Sequence, residues 1–179
     1  MDGVPFAVER PYSFFIGSDE ALRAEIEETS REFLDKTTDY WRDWVRSLSL
    51  PFEYQREVIR AAITLKLCAF EETGAIVAAL TTSIPEAPGT QRNWDYRFCW
   101  LRDAALTLYA LIGSGYLEEA SEWRWWLMRA VGGSPEDLQI MYGLSGERRL
   151  TEWEIKPEKL PGYIGSQPVR IGNGAYDQL

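Results

Sequence analysis

The residues best equipped for chemistry fall within twelve positions, RNWDYRFCWLRD from Arg92 to Asp103, where aromatic side chains alternate with Arg, Asp and Asn just ahead of an apolar helical pattern. That is an unusual place for such a concentration. A pyranose ring offers apolar C–H faces that lie on aromatic rings, and a rim of hydroxyls that Arg donates to and Asp accepts from. The segment therefore reads as a sugar-binding surface. By residue type alone, Arg102 and Asp103 also read as a surface ion pair at a helix start, where Asp favours the helix dipole. Tyr96 and Trp100 likewise also read as core aromatics. Asn93 and Asp95 suit a turn, because both side chains bond their own backbone.

The elements that must position this segment follow from periodicity and punctuation. Met1 to Ile16 has prolines and alternating aromatics without a helical period, and reads as extended chain. Ser18 suits the cap of a helix from Asp19 to Leu48, with Asp19 and Glu20 in its first turn. Its apolar stripe of Leu22, Ile26, Phe33, Leu34, Tyr40, Trp41, Trp44, Val45 and Leu48 reads as packing. Pro51 suits the first turn of a second helix that runs to Glu72 and stops at Gly74. From Val58 to Phe70 that helix is apolar on nearly every side, as a buried helix would be. Glu71 and Glu72 read as its solvated end, since neighbours on a helix diverge by about 100 degrees and cannot face each other as an acid/base pair.

A short extended stretch and a loop broken by Pro85, Pro88 and Gly89 then lead to Asn93. Leu101 to Ile112 and Leu117 to Val131 read as two helices joined by a Gly-containing turn, an αα-hairpin. Trp123 and Trp126 share a face of the second, where packing is the default reading. Leu138 to Tyr142 and Leu150 to Ile155 flank the polar turn GLSGERR and are expected to form a small β-hairpin. A last helix is expected to begin near Asn173.

Composition narrows the function classes. The chain has 179 residues, 45% of them hydrophobic, and a formal net charge of −9 with no histidine. That acidity argues against nucleic acid, whose phosphates need a basic surface. Without histidine, a Ser-His-Asp triad is excluded and proton transfer falls to carboxylates. Two cysteines, Cys68 and Cys99, are too few for a zinc site. Gly172-Asn-Gly174 lacks the spacing and lysine of a phosphate-cradling loop. No apolar run approaches the ~18 to 20 residues of a membrane span. Met1 to Glu9 also lacks the basic start and apolar run of a signal peptide, so a soluble, cytoplasmic protein is expected.

With Asn93, Asp95, Tyr96, Trp100, Arg102 and Asp103 in place, the segment resembles glycoside hydrolase family 15. Members carry an N-x-D-Y-x-x-x-W-x-R-D run at the entrance to an inner helix of an (α/α)6 barrel. The stretch from Pro51 to Glu86 and the stretch from Leu160 to Leu179 resemble bacterial members in the same order. The resemblance implies an all-α fold, the first part of an (α/α)6 toroid of the six-hairpin glycosidase type. A small β-hairpin insertion and an extended N-terminal tail complete it. It divides the chain into residues 1–17, the exit of a β-sandwich domain; 18–50, a linker helix; and 51–179, the first part of the catalytic barrel. On that view the chain is a fragment, with apolar helix faces left open to water.

Family 15 enzymes are inverting, with one glutamic acid protonating the glycosidic oxygen and a second activating water on the opposite face. Neither carboxylate matches a position here, so no catalytic residue is assigned. What carries over is recognition. Tyr96 corresponds to the tyrosine lining the glucosyl pocket, Trp100 to the aromatic beside it, and Arg102 with Asp103 to the pair that holds the hydroxyls at the non-reducing end. Fungal members place a tryptophan near where this chain has Gln167, which leaves the leaving-group side open. Three readings stand: a glucoamylase-like exo-acting α-glucosidase releasing glucose, a trehalase of the same family, or a non-catalytic carbohydrate-binding or interaction module. The expected partner is an oligosaccharide or disaccharide containing α-linked glucose, with no nucleic acid, membrane, metal or cofactor. Oligomeric state is left open.

Overall fold

A computed structural model describes residues 7–17, 21–22, 24–133, 135–159 and 162–178. The chain divides into two compact units, residues 1–47 and 48–179. Among its described residues the first contains one helix, α1 (Ile26–Arg46), with Glu27 and Glu28 in its first turn, where the dipole favours them. This helix is shorter than the periodicity implies. Ala21, Leu22, Ala24 and Glu25 are not helical, and Ser18, Asp19 and Glu20, the expected cap and first turn, lie outside the described residues. Trp41 and Trp44 meet edge to face, with centroids 5.5 Å apart. Much of the apolar stripe is exposed, Phe33 and Leu34 among it.

Among its described residues the second unit holds three α-helices and three two-stranded antiparallel sheets. Helix α2 (Gln55–Leu67) ends earlier than Gly74 implies, and Pro51 lies outside it. The chain turns back instead, pairing β1 (Ala69–Phe70) with β2 (Ala75–Ile76). Gly74 is therefore a hairpin glycine at φ 83° rather than a helix cap. Any Cβ there would lie 2.5 Å from the Glu122 carbonyl oxygen, so both backbone angle and space call for glycine. Glu71 and Glu72 sit in this turn, not at a helix end, and Glu71 pairs with Lys66 at 2.9 Å. Only Ala62 of α2 is fully buried. Of the stretch from Val58 to Phe70, read as apolar on nearly every side, Leu67 and Phe70 stand exposed in this chain.

Helices α3 (Leu101–Gly113) and α4 (Glu118–Val131) lie where periodicity puts them and pack against each other. The core gathers Ala75, Ile76, Cys99, Ala104, Leu108, Trp126 and Tyr142. Trp123 and Trp126 stack at 6.5 Å, and the Trp126 indole N–H donates to the Leu144 carbonyl at 2.8 Å. Their packing reading holds.

The expected hairpin of 138–142 with 150–155 does not form. Strand β4 (Met141–Tyr142) pairs with β3 (Cys99–Trp100), and β5 (Trp153–Ile155) pairs with β6 (Val169–Ile171). The cause lies in burial. Met141 and Tyr142 are fully enclosed, and burial against β3 satisfies their backbone where a solvent-side hairpin would leave their side chains wet. The polar turn exists, closed by Gly143 N–H to the Glu147 carbonyl at 2.8 Å, but it joins strands of different sheets. In place of the last α-helix stands a short 3-10 turn, Gly174–Asp177, capped by the Asn173 side chain accepting from the Ala175 N–H. Among the described residues no helix is long and apolar enough to cross a membrane.

Candidate functional site

The backbone of residues 77–81 runs beside residues 96–98. Ala78 N–H donates to the Phe98 carbonyl and Ala79 N–H to that of Tyr96, each at 3.0 Å, and Tyr96 N–H returns to Thr81 at 3.1 Å. Immediately after, β3 is pinned to β4, and Leu101 N–H donates to the Ile140 carbonyl at 3.0 Å. The start of α3 is thereby fixed on both sides. Arg102 and Asp103 stand in its first turn and Trp100 is the residue before it.

These elements enclose a cleft of about 850 Å³. Tyr96, Trp100, Arg102 and Asp103, the four residues expected to hold the sugar, all line it. Arg102 Nη2 donates to Asp103 Oδ2 at 3.0 Å, and its guanidinium stands 5.6 Å from the Trp100 ring centroid. The Arg102 side chain keeps 73% of its surface exposed. An exposed pair of this kind contributes little to stability, which leaves its donors and acceptors available to a ligand.

Asn93 and Asp95 do not reach the cleft. Both are fully buried. Asp95 shapes the turn as its type implies, accepting from the Arg97 N–H at 3.1 Å. It does more besides: its carboxylate also accepts from Arg97 Nε and Nη2, each at 3.0 Å, and from Gly172 N–H at 3.1 Å. Asn93 binds a distant segment rather than its own turn, donating to the Ser166 carbonyl at 3.5 Å. The two residues thus tie the aromatic segment to the loop of 162–173.

Sequence reasoning missed Glu86 and Glu152 as lining residues; Trp94 of the aromatic segment and Asn173, at the end of the loop of 162–173 that the family resemblance sets beside the pocket, line it as well. Trp94 carries the Arg170 guanidinium over its ring, 4.5 Å from the centroid. Arg170 is nearly enclosed. Its Nη1 donates to the Gln91 and Asn93 carbonyls at 2.6 and 3.0 Å, Nη2 to Glu154 at 2.9 Å, and Nε pairs with Glu152 at 3.2 Å. Glu152 also accepts from Gly174 N–H at 3.2 Å. Trp94 had its local signal in N-W-D-Y; Glu152 arrives by strand pairing that no short window reveals.

Glu86 meets the segment from the proline-broken loop. Its carboxylate accepts from the Tyr96 hydroxyl at 2.5 Å and from Arg92 at 2.7 and 3.0 Å. Those two donors, Tyr96 first, hold the Glu86 carboxyl below the usual carboxylate range. Burial, then the hydrogen bond to Glu86, pushes the Tyr96 phenol up to about 12. Asp103, Glu86 and Glu152, the carboxylates of the wall, each accept a hydrogen bond already. The wall therefore offers rings for an apolar face, donors from Arg102, and several acceptors, an arrangement suited to a hydroxyl-bearing ring. Among the described residues no group of acidic or thiol side chains could hold a metal ion.

Residues 53–179 match the family model described as glycosyl hydrolases family 15. The chain is 45% identical over 146 residues to a trehalase of Thermoplasma volcanium, covering 82% of this chain and 23% of that protein. It is 44% identical over 147 residues to a trehalase of Mycolicibacterium smegmatis, covering 80% and 22%. A trehalase of Mycobacterium tuberculosis is 42% identical over 158 residues, covering 84% and 23%. The chain spans about a quarter of the length of the curated relatives it matches. No solved structure matches it.

Proposed function

The chain belongs to glycosyl hydrolases family 15, and from that premise we propose that its cleft recognises a terminal glucosyl unit of trehalose for hydrolysis of the α-glucosidic bond. The convergence of Tyr96, Trp100, Arg102 and Asp103 on one cleft carries the reading. Trp100 offers a face to the pyranose, Arg102 donates to its hydroxyls and Asp103 accepts from them. Because Arg102 and Asp103 already share one hydrogen bond, they act as a unit whose remaining lone pairs and N–H groups point to a ligand's rim.

Trehalose is favoured over an α-glucan by the names of the relatives, which are trehalases. The same grip fits the non-reducing end of a glucan, so maltose and maltotriose are the comparison ligands. Hydrolysis by inversion needs a general acid and a general base. Neither is assigned within this chain, whose three cleft carboxylates each serve as acceptors in the wall. The helices of residues 51–179 are read as the first part of an (α/α)6 barrel, with residues 18–50 as the segment leading into it.

Calorimetric titration of the chain with α,α-trehalose, maltose and maltotriose tests the reading. Trehalose is expected to bind, and Arg102→Ala to weaken it by roughly 2 kcal/mol, about thirtyfold, the worth of charged hydrogen bonds lost. Binding that survives Arg102→Ala unchanged would sink it. Tighter binding of maltotriose than trehalose would move the substrate to α-glucans.

A further inference from the structure

One carboxylate of the cleft draws its partners from the aromatic segment. Glu86 Oε1 accepts from the Tyr96 hydroxyl, while Oε2 accepts from both Nε and Nη2 of Arg92. The backbone holds the pair in register, because Glu86 N–H donates to the Arg92 carbonyl at 3.0 Å. Arg92 and Tyr96 lie on one side of an extended stretch, so a single acceptor fixes two side chains of one strand-like face.

Resting on the reading of this cleft as a glucoside site, the geometry points to Glu86 as a positioning residue that accepts the hydrogen bond of the Tyr96 hydroxyl and leaves Tyr96 as an acceptor toward the ligand. A phenol has one proton and its oxygen two lone pairs; an ionised carboxylate has acceptors only. With Glu86 ionised, Tyr96 must donate to it, and what faces the cleft is lone pair. Any partner there must bring its own proton, as a sugar hydroxyl does and an ether oxygen does not. Asp103 is acceptor-only as well, and Arg102 donor-only. The wall therefore has a fixed hydrogen-bond polarity before the ligand arrives, which lowers the ordering cost of binding.

Glu86 is not the proton-transfer group in this assignment. Its oxygens are occupied by Arg92 and Tyr96, and those donors favour the charged form over the protonated one. Replacement by glutamine removes that polarity, since an amide lets Tyr96 either donate or accept.

The Tyr96 ¹³Cζ resonance, identified by its disappearance in Tyr96→Phe, reports the partner of the phenol in the full chain without any sugar. Glu86→Gln is expected to move that resonance at neutral pH and to make the phenol titrate at lower pH than in the parent. Arg92→Gln removes the cation beside the pair and is expected to move the titration the opposite way. With α,α-trehalose as the ligand, Glu86→Gln and Tyr96→Phe each bind about tenfold more weakly, and the double variant no more weakly than either single one.

An unmoved Tyr96 resonance in a Glu86→Gln chain that keeps its near-UV circular dichroism overturns the assignment. Should that variant lose its dichroism, Arg92→Gln decides alone, an unchanged titration there overturning it. If the resonance moves as expected while parent and variants all ignore trehalose, Glu86 keeps its role toward Tyr96 and the glucoside reading falls instead.

Discussion

Arg170 lies over the Trp94 ring at 4.5 Å and fastens strand β6 to the aromatic segment through the carbonyls of Gln91 and Asn93. One face of Trp94 is thus backed by a guanidinium that is itself only 7% exposed. On this side of the cleft one cation ties together two carbonyls and two carboxylates.

Removing Arg170 leaves the Gln91 and Asn93 carbonyls and the Glu154 carboxylate without their donor, and Glu152 without its cation. Arg170→Ala is expected to cost about 3 kcal/mol, toward the lower end for a broken buried pair because Glu154 is exposed. Arg170→Lys recovers little, as an ammonium cannot fork to four acceptors or stack on indole. Urea unfolding followed by tryptophan fluorescence measures both; equal stability of Arg170→Lys and the parent would count against the fork.

Gly172 has φ 83°, and a Cβ there would fall 1.9 Å from the Thr151 carbonyl oxygen. Its N–H also supports the buried Asp95. Gly172→Ala is therefore expected to destabilise by at least about 2 kcal/mol, since strain and a backbone clash act together. A thermal melt within a degree or so of the parent would contradict the close approach.

How much of this was legible beforehand depended on distance along the chain. Helices α3 and α4 and the four cleft residues could be read, because apolar spacing, glycine stops and the N-x-D-Y-x-x-x-W-x-R-D run are local signals. The partners of Met141–Tyr142 and Trp153–Ile155 were not. GLSGERR carries the chemistry of a hairpin turn, and nothing within its window says that Cys99–Trp100 and Val169–Ile171 compete for the same backbone groups. Glu86 and Glu152 were missed for the same reason: their approach to the cleft depends on contacts 10 and 22 residues away. Gly74 misled in another way, since a left-handed glycine closes a helix and a β-turn equally well.

Alkaline stability should carry the mark of Tyr96. Its folded-state pKa rises from 10.0 to about 12, mainly through burial and then Glu86. A group raised in the folded state contributes stability that is whole below pH 10 and is lost as pH climbs through about 12. The urea midpoint of Tyr96→Phe is expected to fall less steeply than the parent's across that window. Parallel curves would mean the phenol is not held as described.

The two thiols should differ in reactivity. Burial raises both Cys68 and Cys99, and Cys99 is fully enclosed whereas Cys68 is half-buried. Because the thiolate is the reacting form, a disulfide reagent near pH 8 is expected to label Cys68 slowly and Cys99 only on unfolding. Fast labelling of both in the native chain would place Cys99 outside the core.

The central claim is that Tyr96, Trp100, Arg102 and Asp103 form one surface for a terminal glucosyl ring, and side-chain NMR during titration with α,α-trehalose tests it most directly. The account predicts that the Trp100 indole and Arg102 guanidinium signals shift together and saturate with one affinity, while the Trp126 indole in the core stays still. Saturable binding that leaves Trp100 and Arg102 unmoved would contradict it.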